Sequence, residues 1–256
     1  MSNPRFDLND RVVIITGAGA GIGKVYASEL AKVGARVVVA DIEQEAANAV
    51  TEAINGNGGK AVAARADVTS ESQMIHMADV ALHAFGRIDA LVNNAALMST
   101  LARRPWHEIP MDEWDRVMQV NLRGMFLACR AVYPQMKKQQ SGSIVNISST
   151  RVFEGTPNRL HYTTSKAGVV GFTRALAREV GADSIRVNCI APGLTLSDTQ
   201  IKSSSAEYLA NTARGRSIER PQLPEDLIGT LMYLISDSSV YLTGQTINVD
   251  GGKAMH

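Results

Sequence analysis

Seven short runs rich in β-branched and aliphatic residues alternate with longer segments of helical period along the chain, which leaves few folds open. The expected strands are Arg11–Thr16, Arg36–Ala40, Ala61–Arg65, Ala90–Val92, Ser143–Ile147, Ile185–Ile190 and Thr246–Val249. Helical spacing falls between them, over Tyr26–Val33, Glu43–Ile54, Glu71–Phe85, Met111–Lys138, Tyr162–Val180 and Pro224–Ser236. Continuously apolar strands separated by amphipathic helices predict an α/β fold with a doubly wound, seven-stranded, mainly parallel sheet covered on both faces. No repeat, low-complexity tract or linker divides residues 1–256, so one domain is expected. The longest weakly patterned stretch, Leu194–Pro221, is rich in Ser and Arg and is expected to be a substrate lid.

Charge and cysteine content exclude several classes. The net charge of +1 gives no reason to expect a nucleic acid, an anionic membrane or a strongly charged partner. Cys129 and Cys189 each lie in an apolar stretch without Cys-x-x-Cys spacing, so buried thiols are expected and no metal site. Residues Met1 to Asp10 carry no apolar signal core and no run is long enough to span a bilayer, so the expected location is cytoplasmic.

The first strand breaks into Thr16-Gly17-Ala18-Gly19-Ala20-Gly21-Ile22-Gly23. Glycines at 17, 21 and 23 allow a tight turn and close approach of backbone N–H groups to a diphosphate, at the positive end of the following helix. Gly17, Ala20, Gly21, Ile22 and Gly23 are therefore candidate nucleotide contacts. Asp41 stands eighteen residues past Gly23, just beyond the second strand, where an acidic residue accepts hydrogen bonds from ribose hydroxyls and repels a 2′-phosphate. With no Arg or Lys in the glycine loop, NAD is expected rather than NADP. A helix cap before Glu43 is the alternative role for Asp41. Asp67, ending the third strand, is a second candidate near the adenine, with a cap before Glu71 as its alternative.

Tyr162 and Lys166 are four residues apart at the start of a helix and project from one face. A phenol with an ordinary pKa near ~10 must drop by roughly 2–3 to act as a base at neutral pH, worth ~3–4 kcal/mol. A lysine charge at ~4 Å in a partly buried site supplies about that much. Ser149 follows the strand Ile144-Val145-Asn146-Ile147, at the carboxyl edge where such sheets bind ligands.

These motifs together make the chain resemble the classical short-chain dehydrogenase/reductase family, from Arg11 to Gly252, and imply its Rossmann-type fold. Thr16–Gly23 is similar to the family's cofactor loop, Asp67-Val68 to its adenine-contacting pair, and Asn93-Asn94-Ala95-Ala96 to its Asn-Asn-Ala-Gly strand end. Asn121 matches its helix asparagine, and Ser149, thirteen residues before Tyr162, its catalytic serine in preference to Ser148. Pro192-Gly193 matches the turn beside the nicotinamide; Thr243-Gly244-Gln245 and Asp250-Gly251-Gly252 match its C-terminal signature. The resemblance implies that Tyr162 exchanges a proton with the alcohol and that Ser149 holds the substrate oxygen. It implies that Lys166 binds the nicotinamide ribose and lowers the phenol's pKa, and that Asn121 holds a relay water. Asp67, Val68, Asn94, Pro192, Gly193 and Thr195 join the cofactor contacts on the same basis. Two departures stand out: Ala96 replaces a glycine, and in Leu194-Thr195-Leu196-Ser197 the hydroxyl of Ser197 stands in for a threonine's.

Arg151, Phe153 and Arg159 flank the catalytic pair and are candidate substrate contacts; the arginines suit a carboxylate or phosphate, or else point into water. His161, rotated about 100° from Tyr162 on the helix, is expected at the surface. Phe153, Ile201, Tyr208 and Leu209 favour an apolar or ring-bearing substrate, and Glu154–Asn158 with the ending Asp250–His256 resembles members that oxidise aromatic or cyclic alcohols. Met118, Leu122, Met125, Phe126, Val169, Val170 and Phe172 exceed what one sheet contact needs and predict a second buried face; the family packs these helices against their copies, so the resemblance implies a homotetramer or homodimer. The expected function is NAD-dependent interconversion of a secondary alcohol and its ketone or aldehyde. The alternatives are an NADPH-dependent 3-ketoacyl-type reductase and a catalytically silent NAD-binding protein.

Overall fold

The computed structural model describes residues 6–202 and 213–255. Seven parallel strands form one sheet in the order β3-β2-β1-β4-β5-β6-β7. They are β1 Val12–Thr16, β2 Arg36–Asp41, β3 Lys60–Arg65, β4 Ala90–Asn93, β5 Gly142–Ile147, β6 Ile185–Pro192 and β7 Thr246–Val249. Every neighbouring pair is parallel, so the expectation of a mainly parallel sheet tightens to an entirely parallel one among the described strands. All five residues of β1 and all six of β5 are buried, the continuous apolar signature of a sheet covered on both faces.

The helices are α1 Gly21–Lys32, α2 Gln44–Gly56, α3 Glu71–Phe85, α4 Met111–Met118, α5 Gly124–Gln139, α6 Arg151–Glu154, α7 Leu160–Val180, α8 Asp198–Lys202 and α9 Ile228–Ile235. One face of the sheet packs Val12, Ile14, Leu91 and Ile144 against residues of α3, α5 and α7. The other packs Val13, Ile15, Val92 and Val145 against α1, α2 and α9. The two alternating sets along β1, Val12/Ile14 and Val13/Ile15, thus serve opposite cores.

The expected helix Met111–Lys138 is not continuous: Gln119–Arg123 form a π turn between α4 and α5. Pro224–Ser236 also divides, into a 3₁₀ turn at Pro224–Leu227 and α9. The chain winds outward from β1 toward β3 and then crosses back to β4, so β1 and β4 bracket the switch point where such sheets open a crevice at their carboxyl ends. No helix among the described residues is long and apolar enough to cross a membrane.

The expected lid is described only at its ends, where it is tied down. Leu196 N donates to Gln222 O at 2.8 Å, and the buried Arg216 donates to Leu194 O at 2.7 Å. Tyr208 and Leu209 lie outside the described residues.

Candidate active site

A cleft of about 340 Å³ opens at the switch point, lined at one end by Gly17, Ala20, Gly21, Ile22 and Asp41 and at the other by Ser149, Tyr162 and Lys166. Gly17 turns with φ +63, which a side chain would strain. Gly23 has a different reason: a Cβ there would lie 2.2 Å from Gly17 O and 2.6 Å from Asn94 Nδ2. Asn94 Nδ2 donates to Thr16 O and Gly17 O, both at 3.0 Å, while Thr16 Oγ1 accepts from Asn94 N and Ala95 N at 3.1 Å. These bonds join the ends of β1 and β4 and fix the loop's shape. Asn94 lines the cleft and also builds it.

The first turn of α1 has no acidic residue, and its leading amides have no helical acceptor before them. A shaped backbone loop at a helix N-terminus fits the diphosphate of a dinucleotide. Asp41 stands between the glycine loop and the helix α2. It borders the cleft, where Oδ2 accepts from Gly19 N at 2.8 Å, and its Oδ1 accepts from Glu43 N at 3.0 Å ahead of α2. Gly19 went unnoticed in the sequence, although a Cβ there would come within 3.0 Å of the Asp41 carboxylate.

Asp67 and Val68 are not among the cleft walls. The Asp67 carboxylate folds back onto Thr69, accepting from its N and Oγ1 at 2.9 and 2.8 Å, while Ser70 caps α3. Val68 is buried beneath Gly124.

The strand β5 and helix α7 bring the reactive groups together. Both serines line the cleft; Ser148 is buried and its hydroxyl donates to Lys166 O at 2.7 Å, whereas Ser149 is partly exposed. Tyr162 is buried; burial raises its pKa above the ordinary phenol value, opposed by the Ser149 hydroxyl beside it and by the charges of Arg151 and Arg159. Lys166 is not among the groups that offset this burial. The Lys166 ammonium lies 5.8 Å from the centre of the Tyr162 ring and donates to Ile147 O at 2.7 Å, while burial brings its own pKa down to about 8.

Asn121 sits in the π turn. Its Oδ1 accepts from Leu97 N at 2.8 Å and its Nδ2 donates to Leu97 O and Ser165 Oγ. The side chain braces the segment after β4 and does not line the cleft, so the relay water expected on it finds both N–H donors engaged.

Both candidate arginines line the cleft and donate to backbone carbonyls of the protein. Arg151 donates to Thr156 O and Pro157 O at 2.9 and 2.8 Å, and Arg159 to Leu101 O at 2.7 Å. Neither points simply into water, and direct recognition of an anion is the weaker use of them. Phe153 is not a cleft wall. His161 is fully buried, contrary to the surface position expected, because residues 97–117 cover that side of α7; its Nε2 lies 3.2 Å from Glu113 Oε1.

Pro192, Gly193 and Thr195 line the middle of the cleft, with Thr195 bridged to Gln222 and Ser197 beyond it. Met98 and Gln200, not singled out in the sequence, also line it, as do Glu154 and Lys253 from the two segments that resemble members oxidising aromatic or cyclic alcohols. The available signal was position: Met98 follows β4 and Lys253 follows β7, both on the carboxyl edge.

The family described as short chain dehydrogenase matches residues 11–208. The chain is 39% identical over 251 residues to a 3-oxoacyl-[acyl-carrier-protein] reductase of Synechocystis sp., covering 97% of this chain and 98% of that protein. It is 38% identical over 251 residues to the (2S)-[(R)-hydroxy(phenyl)methyl]succinyl-CoA dehydrogenase subunit BbsD of Thauera aromatica, with 97% and 98% covered. A solved 7α-hydroxysteroid dehydrogenase, complexed with NADH and 7-oxo glycochenodeoxycholic acid, superposes with a TM-score of 0.92 at 35% identity, covering 100% of this chain and 99% of that one.

Proposed function

The chain belongs to the short-chain dehydrogenase/reductase family, an oxidoreductase acting on CH–OH or carbonyl groups, and on that premise we propose that it is NAD-dependent and interconverts a secondary alcohol, aromatic or cyclic, with its ketone or aldehyde. The observation that carries the reading is the meeting of Ser149, Tyr162 and Lys166 in the cleft that the glycine loop closes at its far end. When bound, the nicotinamide supplies the hydride acceptor or donor.

The chain's own residues supply positioning and the proton. As the phenolate, Tyr162 takes the alcohol proton in oxidation, and as the phenol it gives that proton to the carbonyl oxygen in reduction. Ser149, on the rim of β5, holds the substrate oxygen within reach of that hydroxyl. Lys166, fixed by Ile147 O, stands behind Tyr162 and is placed to meet the ribose hydroxyls. Asp41 favours NAD, because a 2′-phosphate would meet its carboxylate and no basic residue of the glycine loop offsets it. Among the residues packed around Tyr162, Met98 lines the cleft and gives the substrate end an apolar contact. The bound steroid of the hydroxysteroid dehydrogenase and the phenyl-bearing alcohol named as the Thauera protein's substrate support the same substrate class.

The Synechocystis relative favours a second reading, an NADPH-dependent 3-ketoacyl-type reductase. Absorbance at 340 nm with NAD or NADP and a panel of secondary, aromatic and cyclic alcohols separates the two. NADH production that falls about 10³-fold in Tyr162→Phe is the expected result; turnover only with NADP would overturn the assignment of Asp41.

The same proposal includes a symmetric homo-oligomer, a tetramer or dimer. Met125, Val169 and Val170, expected to be surplus, are buried within the chain, but Phe126 on α5 and Ile75 on α3 remain 45% and 50% exposed. Light scattering that returns a monomer would end this part of it.

A further inference from the structure

The start of α1 and the segment after β6 stand on opposite sides of the cleft, and a hydrogen bond joins them. The Gly21 amide donates to Oδ1 of Asp198 at 2.9 Å, across 177 residues of sequence. Thr199 N donates to the same oxygen at 2.7 Å, and the Ser197 and Thr199 hydroxyls are bonded at 3.0 Å. Thr199 also lies over the turn: a Cβ on Gly21 would be 3.1 Å from its Oγ1. The Gly21 N–H opens a helix of 12 residues with no acidic side chain in its first turn. Such an end attracts negative charge, and here a carboxylate from far along the chain has taken one of its donors.

We propose that Asp198 is an internal competitor for the nucleotide diphosphate. It ties Ser197–Lys202 to the start of α1 and must leave Gly21 for a nicotinamide dinucleotide to seat. The inference rests on the cofactor proposed above. One N–H cannot serve two anions at full strength, and a carboxylate beside a diphosphate is repulsive. Asp198 is exposed, so its charge returns readily to water and the contact is a weak latch. A hydrogen bond of ordinary net strength corresponds to roughly 3- to 10-fold in an equilibrium, by which the latch lowers apparent nucleotide affinity.

The test compares wild type, Asp198→Asn and Asp198→Ala by calorimetric titration with NAD and with NADP. Hydrogen exchange of the Gly21 amide is followed without nucleotide. Asp198→Ala should exchange Gly21 faster and bind whichever dinucleotide the wild type prefers about 3- to 10-fold tighter. Asp198→Asn, which keeps an acceptor for Gly21 and Thr199 but no charge, should fall between. Unchanged or weaker binding in Asp198→Ala overturns the inference, and weaker binding makes the residue a support for bound nucleotide. If neither dinucleotide binds any of the three proteins, the cofactor assignment itself fails, and the competition with it, whatever Gly21 exchange shows.

Discussion

The two ends of the cleft are built by opposite means. At the nucleotide end the contacts are main-chain amides and small residues, joined by Asn94 and Thr16, and the negative groups near them, Asp41 and Asp198, already have amide partners. At the catalytic end the working groups are buried and titratable, and burial pushes both away from their charged forms: the Tyr162 phenol up and the Lys166 ammonium down to about 8. One end is finished by shape. The other holds groups whose charge states the protein alone disfavours, an arrangement expected where chemistry is performed. Affinity should therefore respond to steric changes at the first end, and stability and turnover should respond in opposite directions at the second.

Gly23→Ala should have the largest effect on the fold. Its methyl would meet Gly17 O and Asn94 Nδ2 at contacts no real Cβ makes, so the loop must open at a cost of about 3 kcal/mol. Denaturant unfolding should show the loss, with dinucleotide binding weakened alongside it; a variant of wild-type stability would mean that the loop is looser than its bonds suggest.

Lys166→Met should act in the contrary sense, raising stability at pH 7 by about 1–3 kcal/mol while turnover is lost. The pH dependence gives the sign. With a folded pKa of about 8 against an ordinary 10.5, the unfolded chain binds more protons between those values, so this group adds stability as pH rises from about 8 to 10.5. The variant's advantage should shrink across that window, and an advantage independent of pH would assign it to packing instead.

Asp41→Ala should have the smallest effect. Removing the acceptor for Gly19 N and Glu43 N should weaken NAD binding about 10-fold and narrow the preference over NADP. Calorimetry with both dinucleotides measures this, and an unchanged ratio would remove Asp41 from cofactor selection.

The same contrast decides what the sequence could reveal. The nucleotide end is written in local signals: glycine spacing after an apolar run, and an acidic residue at the end of the next strand. The strand Thr246–Val249 and the helix Glu71–Phe85 were legible to the residue for a similar reason, since the first is bounded by Gly244 and Asp250 and the second by Ser70 and Gly86. The catalytic end depends on what covers what. His161 is buried by the segment after β4 and by α4, which its own helical phase cannot show. The π turn around Asn121 is a one-residue excess in a pattern that otherwise reads as a single helix. Spacing placed Tyr162 and Lys166 on one face, but it could not register the burial that raises the phenol's pKa against the pull of nearby cations.

That last point is open to direct measurement in the cofactor-free protein. Phenolate absorbance near 295 nm, followed with pH as the difference between wild type and Tyr162→Phe, isolates the ionisation of this one side chain. Burial predicts that Tyr162 titrates above the ordinary phenol value of about 10. A midpoint near pH 7 or 8 would contradict it, and would show that Lys166 and the two arginines activate the base before any cofactor binds.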